Sequence, residues 1–448
     1  MIKKITKVKS FLLLIVVVLS TIIFPQNVDS LGQSKLYPFV VDSIRINGNE
    51  ITEEFIILRE LNFSICDTLT LKNSYFNRER VYSLGIFNHV NFIPTVIDNK
   101  RILNIEVEES WYIYPIPFID AEENNLNKLS YGLFLRLKNF RGRNEDITAS
   151  IAFGYDPTFH LSYYNPNIVG KENIFFRSSF GYSDISNKSP TAEFLHGNKF
   201  SHKYIFTQIL VGRRFGLFNR LYFTAGYNYI ETPFYQPGIN ASDDRIDNVL
   251  DLGIGFEYDT RDLSQFPTNG IFASLNYNLK GLGFDDINYG VGWFDFREYR
   301  KFFEKFISKW RIASRLTFGD GIPFYDLSIL GANTNIRGHS NRKYEGNDYY
   351  FGSIELFYPV IEELNIDLTF IPIIPNQLLS YRVGFYTQIF AETGIAKFKN
   401  EPFGLTKFNT GYGIGVTLLV LPYQVLRFEV ALDEKNNTEV IFNLGISF

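Results

Sequence analysis

What most limits the fold of this chain is a two-residue rhythm that begins after Trp111 and holds for more than 300 of its 448 residues. On the last strand Val440, Phe442, Leu444, Ile446 and Phe448 alternate with Ile441, Asn443, Gly445 and Ser447; Leu426, Phe428, Val430 and Leu432 alternate with Arg427, Glu429 and Ala431. Leu250, Leu252, Ile254, Phe256 and Tyr258 do the same against Asp251, Gly253, Gly255, Glu257 and Asp259. Successive side chains of a strand point to opposite faces, so this pattern describes strands with one apolar face and one polar or small face. A soluble sandwich would pack the apolar face inward, whereas a membrane barrel turns it to lipid and lines its lumen with the polar face. After residue 30 no apolar stretch approaches the ~20 residues of a spanning helix, so any span must be made of strands. The chain is 17% aromatic and 45% hydrophobic, which excludes a disordered polar polymer.

About sixteen strands fit between Tyr112 and Phe448, an even number suited to a closed antiparallel barrel. Connections near 184–199, 232–247, 320–349 and 393–408 are long, while those near 140–144, 166–172, 213–218 and 420–423 are short. Loops on one rim and tight turns on the other are the outer-membrane pattern. The segment Ile361–Leu379 breaks that alternation and reads as a long turn or a protruding strand pair. Tyr112, Tyr114, Tyr163, Tyr164, Tyr349 and Tyr350 lie near strand ends and suit interfacial girdles, with core aromatics as the alternative.

Residues 38–110 follow a mixed pattern. Val41 to Ile46 alternates like a strand, Asn47-Gly48-Asn49 turns the chain, and Thr52-Glu53-Glu54 starts a helix. A second helix is predicted over Lys72–Leu84, ending at Gly85, followed by strands His89–Pro94 and Arg101–Glu108. The order β-α-α-β-β describes a small α+β domain whose three-stranded sheet leaves exposed edges. Ahead of it Lys3, Lys4, Lys7 and Lys9 precede an apolar run from Phe11 to Phe24, which reads as a signal peptide over residues 1–30, cut near Val28-Asp29-Ser30. A short membrane anchor is the alternative, although the run is below the ~17-residue limit. Cleavage would leave 40 Lys and Arg against 47 Asp and Glu, a formal balance of −7. An acidic exported chain makes a poor nucleic-acid partner. The single cysteine, Cys66, permits no internal disulfide.

Particular motifs sharpen this outline. The small domain carries Ile46-Asn47-Gly48-Asn49 and Leu84-Gly85-Ile86-Phe87. The barrel region carries Asp259-Thr260-Arg261-Asp262 with Pro267-Thr268-Asn269-Gly270, then Ile336-Arg337-Gly338-His339, then Ile389-Phe390-Ala391-Glu392-Thr393-Gly394. In this order they resemble the BamA superfamily of outer-membrane assembly and transport proteins, the bacterial surface antigen family. The small domain resembles one POTRA (polypeptide-transport-associated) module. The first barrel motif is similar to the family's periplasmic turn between strands eight and nine, the second to its loop-six signature, and the third to its strand-thirteen signature. His339 stands where the family usually carries Phe or Tyr, and Glu392 where it typically carries Asp. Dedicated assembly factors of the family usually string several POTRA modules, whereas one fits here.

The resemblance implies a mainly β fold, a sixteen-stranded antiparallel transmembrane barrel over 111–448 behind one POTRA domain. It also implies that the loop-six arginine folds into the barrel and pairs with acids on strands twelve and thirteen. Carried over, Arg337, with Gly338 beside it, would meet Glu355 and Glu392, both of which strand parity turns toward the lumen. Guanidinium–carboxylate pairing of this kind would lock a long loop inside a wet channel. The competing reading is ordinary lumenal charge, with Lys309, Arg311 and Arg315 as the counter-charges. Pro115 and Pro117 share one parity near the first strand and cannot donate to a ladder. In the barrel wall they would leave a weak seam against the last strand, bordered by Pro115, Pro117, Gly445 and Phe448; alternatively they end the linker from the small domain. A seam edge would template strand addition, and a POTRA sheet would hold client segments by β-augmentation.

That mechanism needs no catalytic residue, cofactor or metal. Gly338-His339-Ser340-Asn341-Arg342 fails the nucleophile-elbow pattern, Gly411-Tyr412-Gly413-Ile414-Gly415 reads as small residues on one strand face, and the five histidines lack metal-ligand spacing. The expected role is insertion, assembly or translocation of polypeptides at a Gram-negative-type outer membrane, with the POTRA domain in the periplasm. Expected partners are unfolded outer-membrane proteins, the lipid bilayer with its lipopolysaccharide, and accessory lipoproteins, with no nucleic acid. A pore for small solutes or a channel dedicated to one secreted partner is the alternative.

Overall fold

The computed structural model describes residues 36–121, 126–303, 305–330, 336–339, 342–404 and 407–445. The leader expected over 1–30 and the terminal Phe448 lie outside these residues. The N-terminal part contains β1 (Phe39–Val40), β2 (Ser43–Asn47), helix α1 (Glu54–Leu58), β3 (Thr68–Leu69), helix α2 (Leu71–Tyr82), β4 (Phe87–Ile97) and β5 (Lys100–Glu109). Thr70 caps α2 by accepting from the Asn73 amide at 3.2 Å, and Gly85 takes φ +69 where the chain reverses into β4. β5 is the centre of a three-stranded sheet, parallel to β2 and antiparallel to β4. The expected β-α-α-β-β order is present, with the short β1–β3 pair added. Val41, Ile57, Leu69, Phe87, Leu103 and Ile105 are wholly buried between sheet and helices.

Sixteen antiparallel strands follow in one sheet. They are β6 (Ile113–Ala121), β7 (Leu129–Phe140), β8 (Glu145–Gly154), β9 (Thr158–Asn165), β10 (Ile174–Ser186), β11 (Ser201–Phe215), β12 (Asn219–Glu231) and β13 (Ile246–Asp259). After them come β14 (Gly270–Phe284), β15 (Ile287–Phe302) and β16 (Phe306–Phe318); a small hairpin of β17 (Ser328–Leu330) and β18 (Tyr344–Gly346) interrupts the run. The sheet resumes with β19 (Asp348–Asp367), β20 (Ser380–Lys397), β21 (Asn409–Leu421), β22 (Gln424–Asp433) and β23 (Thr438–Leu444). The alternation in sequence becomes a division of faces. Val440, Phe442 and Leu444 are 63–66% exposed and Leu252, Ile254 and Phe256 are exposed on β13, while Asp251, Arg427 and Glu429 are buried on the other face. The apolar rows therefore look outward and the charged rows inward, the arrangement of a wall that meets acyl chains.

One feature differs from the expectation of a closed barrel, and one decides between two expected alternatives. The sheet is barrel-like, but among the described residues no ladder joins its first strand β6 to its last strand β23, so closure by hydrogen bonding is not made. Ile361–Leu379 resolves into a protruding strand pair: β19 runs on to Asp367, β20 starts at Ser380, and register shifts at Pro359, Ile361 and Leu364 kink the extension. That extension meets the small domain, which packs on the rim of short turns. The domain's hydrophobic core continues into the barrel through Leu263, Phe266, Phe357 and Leu421.

Candidate functional site

The loop between β16 and β19 carries Arg337 into the interior. Its approach is fixed by apolar and backbone constraints before any charge is considered. Ile336, fully buried, packs with Leu330, Ala313 and Phe351. Gly338 holds φ +93, and its amide donates to the Glu439 carboxylate at 2.8 Å. A Cβ on Gly411 would lie 1.8 Å from the Arg337 carbonyl oxygen, so β21 offers bare backbone where the loop crosses it. Gly411 is thus the point of passage for this loop over β21.

Within that passage the Arg337 guanidinium stacks 3.6 Å from the centroid of the Phe390 ring. It donates to Glu392 at 2.5 Å, to Glu429 at 2.5 Å and to Glu355, while its own amide donates to Glu392 at 2.9 Å. Arg337, Glu355, Glu392 and Glu429 are all 6% exposed or less. Glu429 also accepts from Gln388, which Thr417 holds in turn, and Arg427 approaches it at 3.5 Å. One cation thus joins carboxylates from β19, β20 and β22. Charge-assisted bonds in a water-poor interior are strong, and removing the shared partner leaves several buried charges uncompensated.

The structure brings Arg337, Glu355 and Glu392 together and sets Gly338 beside them. Of the alternative counter-charges, Arg311 bonds Asp295 at 3.0 Å and Arg315 bonds Asp326 at 3.1 Å, away from the cluster. Lys309 faces Glu355 across the β16–β19 ladder and lies 3.8 Å from the Phe266 ring centroid. Glu429 and Phe390 complete the cluster and were not expected. The parity of β22 turns Glu429 inward, but nothing in one strand states that a loop 92 residues earlier will reach it.

Pro115 and Pro117 lie within β6, so they do not merely end the linker. The β6–β7 register runs without a shift through both prolines, Pro115 opposite Leu135 and Pro117 opposite Leu133. Their missing donors therefore fall on the opposite, free edge. At the far end Gly445 bends with φ +106, its amide donating to the Val425 carbonyl and its own carbonyl accepting from Arg427 at 3.0 Å. It turns back toward β22 instead of extending the β23 edge. Phe448 lies beyond the described residues.

The small domain is tied to the rim by charge and by backbone. Glu60 pairs with Arg214 through two bonds of 2.6 and 2.9 Å and with Arg80 at 2.8 Å. Burial alone would push the Glu60 carboxyl up, but Arg214, Arg80 and Arg59 hold it down to about 2. On the protruding hairpin, Arg382 reaches Glu79 at 2.7 Å, Glu363 reaches Arg78 at 3.0 Å, and the Gln377 carbonyl accepts from Asn88 at 2.7 Å. The β7–β8 turn adds Arg143 to Glu53 at 2.6 Å and the Gly142 carbonyl to the Glu53 amide at 2.9 Å.

Comparison with known proteins agrees with this architecture. Residues 139–448 match the Omp85 superfamily domain. The fold is similar to the crystal structure of BamA from Haemophilus ducreyi lacking POTRA domains 1–3, at 18% identity and a TM-score of 0.53, covering 91% of this chain and 84% of that one. It is also similar to CdiB from Escherichia coli, at 10% identity and a TM-score of 0.55, covering 91% and 76%. With more than half of its length inside the matched domain, the chain belongs to the Omp85 superfamily.

Proposed function

We propose that this protein resides in an outer membrane and inserts, assembles or translocates polypeptides there, with its small domain acting as a periplasmic POTRA module and its N-terminus as a cleaved export signal. The observation that carries the reading is the pair of edges that stay unpaired among the described residues at the two ends of the sixteen-stranded sheet, one of which cannot be fully satisfied because Pro115 and Pro117 lack donors. Unpaired backbone is costly in hydrocarbon, so an incoming strand that supplies donors and acceptors is favoured there. Backbone pairing ignores most side chains, which suits a machine with many unfolded clients. The outward apolar rows support the membrane setting, and superfamily membership supports the class of work. The cluster at Arg337 supports a role in holding the β16–β19 loop inside the lumen while the seam operates.

Photocrosslinkers placed at Ile116 on β6 and at Phe442 on β23 test this. Adducts with nascent barrel precursors are expected at both positions and not at Leu252 on the far wall. Steady conductance in planar bilayers without any captured precursor would instead support a solute pore.

A further inference from the structure

The junction between the small domain and the barrel rim encloses a cavity of about 340 Å³ whose wall is dominated by guanidinium groups. Arg59 and Arg80 come from the small domain, Arg177 from β10, Arg214 from β11, Arg220 from β12 and Arg261 from the β13–β14 turn. Only two carboxylates, Glu60 and Asp259, share that wall, so the lining carries an excess of four positive charges. Glu60 is committed to Arg214 and Arg80, and Asp259 to Arg261 at 2.8 Å. The others are poorly matched. Arg59 has its nearest carboxylate at 3.8 Å and spends its two terminal nitrogens on the single Pro166 carbonyl at 3.3 Å; Arg220 has its nearest carboxylate at 3.9 Å, and Arg177 meets the Tyr164 ring at 5.1 Å and makes no ion pair among the described residues. The Nε atoms of Arg59 and Arg80 are buried without a hydrogen-bond partner. Burial also holds the guanidiniums of Arg59 and Arg80 below their ordinary values, against the pull of Glu60.

We infer that this cavity is an anion site for phosphate groups, either free phosphate or pyrophosphate or the phosphate of a lipid headgroup. Several forks around one space suit a tetrahedral, multiply charged oxyanion, because each fork takes two oxygens of a fixed geometry. The volume lies at the small end of ligand pockets, enough for one or two phosphate groups. A bound phosphate would link Arg59 and Arg80 of the small domain to Arg177 and Arg220 of the barrel, so occupancy would strengthen docking by mass action.

The test uses the full-length protein purified in detergent. Inorganic pyrophosphate is titrated calorimetrically, and flotation is measured with phosphatidylcholine vesicles with and without phosphatidic acid. Arg177→Gln and Arg220→Gln are the informative variants, since the Arg220 side chain is 45% exposed and neither residue closes a buried pair. Each should weaken binding about tenfold, the usual loss of one charge-assisted bond, and Arg220→Lys should lie between. Pyrophosphate binding that the variants lose supports a free phosphate ligand. Binding confined to phosphatidic acid vesicles and lost in the variants supports a headgroup. No binding of either probe, equal binding by parent and variants, or preference for poly-glutamate over both probes would overturn the assignment.

Discussion

At the scale of single residues, Arg337 is the contact on which the interior depends. Arg337→Ala leaves Glu355, Glu392 and Glu429 buried around an empty space, a change that typically costs roughly 3–5 kcal/mol. Urea unfolding in liposomes should show that loss together with reduced client handling; an unchanged midpoint would remove the lock. Glu429→Gln keeps an acceptor and relieves one negative charge, so it should stay within about 1 kcal/mol of the parent. Much of this site was legible before any fold was known. Strand parity turned Glu355 and Glu392 inward, and the Ile336–His339 motif pointed to Arg337. Glu429 was legible only as an inward charge, because its meeting with Arg337 depends on the curvature of four neighbouring strands and on the missing side chain at Gly411.

At the scale of elements, the docking of the small domain combines a shared apolar core with buried ion pairs, and the ion pairs are sensitive to acid. The Glu60 carboxyl is held at about 2 in the folded protein against an ordinary 4.5. A depressed carboxylate contributes stability that is fully present above about 4.5 and is lost as pH falls toward about 2, up to roughly 3 kcal/mol in all. Denaturant unfolding of the small domain followed from pH 6 to pH 3 should show this decline, and Glu60→Gln should flatten it; a parallel decline in the variant would assign the acid loss elsewhere. The domain's own elements were readable from periodicity and from the Gly85 stop, the helix expected over Lys72–Leu84 standing at Leu71–Tyr82, whereas its cap at Thr70 was missed. The domain's seat on the barrel was not readable, because Arg214, Glu363 and Arg382 look like any charges near strand ends. The β19–β20 extension was ambiguous for a local reason: bulges near Pro359 and Ile361 break the two-residue period on which strand reading relies. A loop helix at Pro190–His196 was missed although Ser189 caps it and Gly197 ends it, both visible signals.

At the scale of the whole molecule, the outward apolar face and the two free edges each make a measurable demand. Leu252→Arg puts a charge midway along an outward row of β13 and should cost about 2–4 kcal/mol in lipid, read from refolding into vesicles; tolerance would mean that this row does not meet the hydrocarbon. In hydrogen exchange, amides of β6 and β23 should lose protection at least about tenfold faster than those of β11 to β13, which are paired on both sides. Equal protection would mean a sealed wall. The direction of the faces was legible from the rhythm after Trp111, since alternation and the lack of helical spans left few other arrangements. That no ladder among the described residues closes the sheet was not, beyond the hint of two prolines. Finally, the third carboxylate gripped by Arg337 belongs to the penultimate strand. During biogenesis the loop tip cannot reach full charge compensation until the C-terminal end of the chain has taken its position, so the clasp fastens last and a truncated or stalled barrel would carry an open one.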